Sequence, residues 1–365
     1  MTQPIVPIRP LTPGDDLDRR LARTEAQEDC AFVDARDPFA TLTEMFGDRF
    51  AAYRRDWEAA SAFTLETPFP LQLDFELNYS CNLRCPMCTW SVEATSGTGK
   101  KDWFPFERYQ AIVTDGVARG LRALDMSFVN EPLIRRDLPK FIRFGRDAGV
   151  LDIAFNTNGT LLTPSFSREL IDSGLTRIQF SIDAFSPETF DKVRTGGDYD
   201  KVVANLLKFL ELRASLGGAV PLVGVSFVKQ RDNQHEVNPF VAFWESKVDY
   251  LLIREYLTPV LPTDAHYDEK SAMFADTRHF TGEFKCTKPW QRMIVRYDGT
   301  LLPCCTFHGA HLPMGNVFET PIDQIWSSPQ MRDLRAMHSR GEFYKNPVCK
   351  ACAFSSTASG AAWDR

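Results

Sequence analysis

Nine cysteines carry most of the chemical potential of this 365-residue chain, and their spacing is uneven. Cys30 stands alone. Cys81, Cys85 and Cys88 fall in the run Cys81-Asn-Leu-Arg-Cys85-Pro-Met-Cys88. Thiolates are soft ligands that suit iron–sulfur clusters or zinc. Structural zinc asks for four protein ligands. This run offers three, enough to wrap one corner of a cubane cluster and leave one metal position open to a small molecule. Cys286, Cys304, Cys349 and Cys352 form a second set that can close a complete metal site. Zinc and an iron–sulfur cluster both suit it, because pairs such as Cys349-Lys-Ala-Cys352 serve either. In a reducing compartment such groups favour metal or redox roles over disulfides.

The elements around these cysteines follow from hydrophobic periodicity. Apolar strands are predicted at 71–77, 123–129, 151–156, 176–182, 221–228 and 249–255. Amphipathic segments near 106–119, 137–149, 164–173, 187–216 and 239–247 alternate with them. The last of these starts with Asn238 as cap and Pro239 at its first position. Six strands alternating with helices predict a parallel sheet covered by helices. An open sheet and a partial barrel fit the pattern equally well. Three polar turns sit at strand ends: Asn130-Glu131-Pro132, Thr157-Asn158-Gly159, and Ser181 with Asp183. Arg254 and Glu255 end the last strand, facing the mouth. Parallel α/β folds place their sites at these carboxyl ends.

Outside this region, residues 38–62 carry Leu42, Met45, Phe46, Phe50, Tyr53 and Trp57 at helical spacing and predict one or two packing helices. Residues 1–37 lack clear periodicity and predict a mobile start. Past residue 260, Pro259, Pro262, His266 and Asp268 mark a connecting segment before short strand-like pieces. A hydrophobic fraction of 44% and a charged fraction of 25% are ordinary for a globular chain. The length suits roughly two domains of about 150 residues. A net charge of −6 argues against a nucleic-acid partner. No run of about 20 apolar residues predicts a membrane span. The first twenty residues lack the apolar stretch of a secretory signal, so the expected location is cytoplasmic, without membrane attachment.

The C-x3-C-x2-C run directly after a first strand resembles the radical S-adenosylmethionine (SAM) superfamily. The resemblance implies that Cys81, Cys85 and Cys88 hold a [4Fe–4S] cluster whose fourth iron binds the amino and carboxylate groups of SAM. Met87 stands where the family often has an aromatic residue and is expected near the adenine. Asn130, Glu131 and Pro132 match the turn that binds the SAM amino group, with Asn130 in place of glycine. Asn158 belongs to the family's TNG turn, and Ser181 and Asp183 to the region that holds the ribose hydroxyls. The fold implied is α/β, a (β/α)6 partial TIM barrel over 71–258, behind an N-terminal, partly helical extension at 1–70.

The C-terminal part, 259–365, resembles the SPASM group of radical SAM extensions. Cys286, twelve residues, Gly299, four residues and Cys304 satisfy its opening unit. The pattern's next cysteine position is Ala358, and no cysteine follows Cys352. This is similar to the shortened twitch form, in which one auxiliary [4Fe–4S] cluster is held by Cys286, Cys304, Cys349 and Cys352. The spacing is similar to that of the 2-deoxy-scyllo-inosamine dehydrogenases, which oxidise an aminocyclitol alcohol. Met314-Gly315-Asn316-Val317 and Ile325-Trp326 also match the group, with a packing role.

The resemblance implies reductive cleavage of SAM, a 5′-deoxyadenosyl radical and hydrogen-atom abstraction from a small-molecule substrate. A flavodoxin- or ferredoxin-type donor would supply the electron. The expected reaction is dehydrogenation or epimerisation of a sugar, aminocyclitol or similar polyol. The alternative is a maturase that modifies a peptide, although the N-terminal segment lacks the strand–helix pattern of a peptide-recognition domain. A non-enzymatic metal-binding or redox-sensing protein would explain the cysteines but not the strand-end turns. Two residues are candidates for catalysis: Arg254, for a substrate hydroxyl or carboxylate, and Cys305. Because neighbouring strand residues face opposite ways, Cys305 is expected to turn away from the auxiliary site. There it is either a small buried hydrophobe or, in an epimerase, the hydrogen-atom donor.

Overall fold

A computed structural model of the chain describes residues 30–34, 37–94, 103–256 and 285–353. The side chains of Cys30 and Glu255, the segment with Pro259, Pro262, His266 and Asp268, and Ala358 lie outside the described residues. Among the described residues, ten strands form one sheet. They are β1 (Cys30–Asp34), β2 (Gln72–Phe75), β3 (Ala123–Asp125), β4 (Asp152–Thr157), β5 (Arg177–Ser181), β6 (Leu222–Lys229), β7 (Tyr250–Glu255), β8 (Arg292–Val295), β9 (Thr300–Leu302) and β10 (Gly315–Asn316). The order is β1-β7-β6-β5-β4-β3-β2-β8-β9-β10. β2 to β7 are the six predicted strands, each parallel to its neighbour. The sheet runs from β1 to β10 without closing, so the fold is a partial barrel.

Parallel strands need crossovers, and helices supply them. One face of the sheet, including Val223, Val225, Phe227, Leu251 and Ile253, packs against those helices in the main apolar core. Because side chains alternate along a strand, residues such as Asp74, Asp125, Asp152, Arg177, Gln179 and Tyr250 point the other way, into the lumen. Tyr53 and Tyr250 both feel the same lumenal charges, Asp152 and Arg177.

The N-terminal extension closes one mouth of this lumen. Asp37 caps the helix Pro38–Phe46 by accepting from the backbone of Phe39 and Ala40, and a second helix runs from Asp48 to Ser61. Their Leu42, Phe50, Tyr53 and Ala60 cluster with Leu71, Ala123, Leu151 and Leu222, which sit at or just before the starts of β2, β3, β4 and β6. Burying each large side chain contributes about 1.5–3 kcal/mol. The opposite, carboxyl-end mouth carries the cysteine loop.

Three local expectations need correction. Residues 30–34 were expected in a mobile start, but they pair antiparallel with β7. The edge of β7 offers a ladder of backbone groups, and a strand satisfies them. The predicted helix 187–216 is two, Pro187–Val193 and Tyr199–Ser215. Gly196 and Gly197 break it, and Asp198 caps the second part by accepting from Lys201 N. The helix predicted to start at Pro239 begins at Val237, following a 3-10 turn at Gln234–Glu236, so Asn238 lies inside it rather than capping it.

The C-terminal region is joined to the barrel rather than hung beside it. β8 pairs parallel with β2 from Gln72↔Arg292 to Phe75↔Val295, and Glu76 N donates to Val295 O at 2.9 Å. β9 and β10 then add antiparallel strands. Gly299 makes the β8–β9 turn at φ +85°, a conformation that favours glycine. A Cβ there would meet Asn316 at 2.6 Å.

Candidate functional site

The loop after β2 carries Cys81, Cys85 and Cys88, half-buried or buried, with Cys85 at 5% exposure. Leu83, Cys85 and Met87 pack together with Tyr256 against them, which places Met87 beside the thiols. Polar donors are aimed at the sulfurs. Leu83 N donates to Cys81 Sγ at 3.4 Å, Asn158 Nδ2 to the same sulfur at 3.9 Å, and Arg194 Nη1 to Cys85 Sγ at 3.8 Å. Burial pushes the Cys81 thiol up to about 12 and raises Cys85 and Cys88 as well. Protonated thiols are poor ligands, so a metal must displace their protons on binding. N–H donors pointing at sulfur suit thiolate ligands, and this donor set therefore fits a cluster held by three cysteines.

The strand-end turns converge on that loop. Glu131, 2% exposed, accepts from Leu133 N at 3.0 Å, Thr157 Oγ1 at 2.7 Å and Asn158 N at 2.8 Å. Its carboxylate ties the turn after β3 to the turn after β4. Pro132 opens a short 3-10 turn behind it. Asn130 Nδ2 donates to Asn78 Oδ1 at 3.0 Å, which joins the same turn to the β2 loop. Asn158 also donates to Asn82 Oδ1 at 2.9 Å. The structure thus brings Asn130, Glu131, Pro132 and Asn158 to the cysteine loop.

At the end of β5, Ser181 is half-buried while Asp183 is fully buried, at φ +58°. Asp183 Oδ1 accepts from Val228 N at 2.8 Å, and its other oxygen pairs with Arg194. Burial raises the Asp183 pKa, while the charges of Arg194 and Arg254 hold it down. Arg254 is exposed at the end of β7 and electrostatically close to this group. Periodicity did not single out Arg194. Its signal was its place just before the Thr195-Gly196-Gly197 break, which docks on the cysteine loop through Arg84 N to Thr195 O at 2.9 Å.

The second cysteine set surrounds one small cavity of about 40 Å³. Cys286, Cys304, Cys349 and Cys352 line it, together with Thr306, His308 and His338. Thr306 Oγ1 lies 3.5 Å from Cys304 Sγ and accepts from Cys352 Sγ at 3.7 Å. Burial pushes Cys304 up to about 12 and raises Cys349 and Cys352. Gly309 lets the chain close on the site: a Cβ there would meet Cys304 Sγ at 2.7 Å. Four soft donors around an otherwise apolar hollow fit a fully ligated cluster. Among the described residues, no three His, Cys, Asp or Glu side chains converge as they do around a single ion.

Cys305 is half-buried and does not line this cavity. The strand argument for it needs correction, because β9 ends at Leu302 and residues 303–306 form a bend. Met314, Ile325 and Trp326 are buried as expected, and Trp326 Nε1 donates to Thr67 O at 2.7 Å.

Between the two mouths the lumen is polar. Asp152 pairs with Arg177 at 2.7 Å, Asp74 with Arg292 at 3.4 Å and Glu76 with Arg296 at 3.0 Å. Buried parallel strands usually read as continuous apolar runs, so Asp74, Asp125 and Gln179 were visible in the sequence as polar interruptions that periodicity did not use.

Comparison with known proteins agrees with this geometry. The model of the radical SAM superfamily matches residues 75–226, and that of SPASM, an iron–sulfur cluster-binding domain, matches residues 286–353. GTP 3′,8-cyclase of Alkaliphilus oremlandii is 33% identical over 133 residues, 36% of this chain and 41% of its own length. The chain thus spans less than half of that relative. A probable GTP 3′,8-cyclase of Methanococcus maripaludis strain C5 is 28% identical over 253 residues, 61% of this chain and 81% of its own. Streptococcus suis SuiB, solved bound to the precursor peptide SuiA, shares the fold with a TM-score of 0.58 at 16% identity. That match covers 89% of this chain and 77% of SuiB. No described helix is long and apolar enough to cross a membrane.

Proposed function

The chain is a member of the radical SAM superfamily with a SPASM domain behind its barrel, and from that premise we propose that it dehydrogenates a hydroxyl-bearing small molecule, such as a sugar or aminocyclitol. The cofactors of these domains, SAM with one [4Fe–4S] cluster and a second, auxiliary cluster, supply a 5′-deoxyadenosyl radical and a one-electron acceptor. Cys81, Cys85 and Cys88 hold the first cluster. Cys286, Cys304, Cys349 and Cys352 hold the second. A flavodoxin- or ferredoxin-type protein is the electron donor.

The rest of the site belongs to the chain's own residues. Glu131 locks the turns after β3 and β4 against each other, so that Asn130 and Asn158 stand rigidly beside the cysteine loop. Met87 offers an apolar neighbour to the adenine and Ser181 faces the ribose, while Asp183, taken up by Val228 N and Arg194, positions that arginine beside Cys85. Arg254 at the open mouth binds a substrate hydroxyl or carboxylate. The N-terminal helices exclude water from the closed mouth.

The observation that carries the reading is the four-thiol cavity. A cluster with four protein thiolates has no open metal position for substrate. It would serve electron transfer, taking up the electron that an oxidation releases; an epimerisation would instead need an electron returned to its spent hydrogen donor. A nucleoside triphosphate, the substrate named for the curated relatives, calls for a basic cluster, whereas the lumen carries Asp74, Asp125 and Asp152 beside its arginines.

The test is turnover by the reconstituted protein in deuterated water with sugars, cyclitols, aminocyclitols, GTP and short peptides. A product two hydrogens lighter, from a hydroxylated substrate, is expected. A product of unchanged formula carrying one solvent deuterium, lost in Cys305→Ala, would instead make the enzyme an epimerase. Turnover of GTP or of a peptide alone would overturn the substrate class.

A further inference from the structure

We infer that the lumen wall formed by Asp125, Ser127, Asn156 and Gln179 is a hydroxyl-binding site in which Asp125 takes the proton of the substrate's reacting hydroxyl. This rests on the dehydrogenase reading above and adds to it the residue that performs the proton step.

Asp125 ends β3, in register with Asp74 of β2 on one side and Ala154 of β4 on the other. The two carboxyl groups are therefore lumenal neighbours on adjacent strands. Asp74 is occupied: Gln72 Nε2 donates to it at 2.5 Å and Arg292 pairs with it. Asp125 is occupied on one side only. Its Oδ1 accepts from Ser127 Oγ at 2.5 Å and Ser127 N at 3.0 Å. Its Oδ2 has no hydrogen-bond partner among the described residues. Ser127 Oγ in turn accepts from Asn156 N at 3.1 Å and Asn156 Nδ2 at 3.2 Å.

Gln179 is the independent sign of a ligand. It pairs in register with Asn156 on β4 and Gly224 on β6. It is 8% exposed, and its amide, which makes no hydrogen bond among the described residues, opens onto the lumen. A polyol hydroxyl between Gln179 and Asp125 would give this amide and Asp125 Oδ2 a partner in place of water.

After hydrogen-atom abstraction, the substrate carbon carries an unpaired electron beside its hydroxyl. The O–H bond breaks and its proton goes to Asp125. The carbon–oxygen double bond forms as one electron leaves to an iron–sulfur acceptor. The groups facing Asp125 are Asp74 from β2, Arg177 from β5, Tyr250 from β7 and Arg292 from β8. Burial, and next Asp74, pushes Asp125 up to about 7, a value suited to taking and releasing a proton near neutrality.

Infrared difference spectroscopy on holoenzyme carrying ¹³C-labelled aspartate, with glycerol and myo-inositol as probes, tests the site without turnover. The wild type should show one perturbed carboxyl band, absent in Asp125→Asn. No perturbation by either probe, or the same one in both proteins, overturns the inference. Turnover then separates the two readings. Asp125→Asn with full iron content should still form 5′-deoxyadenosine but oxidise about 10²–10⁴-fold more slowly, with partial rescue in Asp125→Glu. Oxidation at the wild-type rate in Asp125→Asn overturns the proton role and leaves the dehydrogenase reading standing. A carboxyl perturbation with no oxidised product from any hydroxylated substrate overturns the dehydrogenase reading and leaves the site.

Discussion

Arg194 donates to the sulfur of Cys85 at 3.8 Å while its guanidinium pairs with the buried carboxylate of Asp183. One cation therefore links the strand-end turn after β5 to the thiol of the second cysteine in the loop. Hydrogen bonds and charge near cluster sulfurs set reduction potential, and a cation beside a thiolate ligand favours the more negative, reduced cluster. Arg194→Ala should lower the midpoint potential of the first cluster in a redox titration followed by electron paramagnetic resonance. Removing one partner of a buried pair also costs about 3–5 kcal/mol, visible as a lower denaturant midpoint. An unchanged potential would mean that the contact with Cys85 has no electronic effect.

Iron content tests the two cysteine sets separately. Anaerobically prepared protein should hold about eight irons, two [4Fe–4S] clusters. Cys81, Cys85 and Cys88 changed together to Ala should leave about four. That variant should form no 5′-deoxyadenosine from SAM and dithionite, while the wild type forms it slowly. A triple variant with full iron would refute the assignment.

Gly309→Ala should damage only the second set. Its methyl would sit 2.7 Å from Cys304 Sγ and 2.9 Å from Cys304 O, distances that real side chains do not tolerate. The expected variant keeps the first cluster and its uncoupled SAM cleavage, with iron falling toward about four per chain. One zinc with only about four irons in the wild type would sink the auxiliary-cluster assignment.

The elevated Asp125 has a consequence for stability. With its folded pKa near 7 and its ordinary value at 3.8, the native state binds a proton that the unfolded state has released. Stability from this group is present below about pH 4 and is lost as pH rises through about 7. Each unit of upward shift amounts to about 1.4 kcal/mol, less here because the group is partly open to the lumen. Asp125→Asn should flatten that loss, so the variant gains stability over the wild type at pH 8 but not at pH 4. Equal pH profiles in urea denaturation would show that Asp125 titrates normally.

Much of this arrangement was legible in the sequence. The six strands and the order of cysteines, Glu131 and Asn158 at strand ends could be read directly, because period-2 apolar runs and turn residues are local signals. Three things were not. The strand at 30–34 owes its existence to the edge of β7, more than 200 residues away. The break at Gly196-Gly197 was hidden because apolar spacing continues through it from Phe190 to Val202. Arg194 gains its meaning only when Cys85 and Asp183 meet, and no pattern in one segment encodes a contact between three. For Cys305, the alternation rule was applied two and three residues past the end of β9, at Cys304 and Cys305, where a bend replaces the pleat.

The pairing of β8 with β2 places both cysteine sets on a single hydrogen-bonded framework. Tyr79, two residues before Cys81, stacks on Tyr297 of the β8–β9 turn at 4.8 Å between centroids. Tunnelling rates fall exponentially with separation, so a hinge between electron source and sink would make transfer depend on domain motion. Here the separation is built into a ladder of backbone bonds and an aromatic stack. A fixed spacing of that kind would leave substrate exchange to the loops at the open mouth.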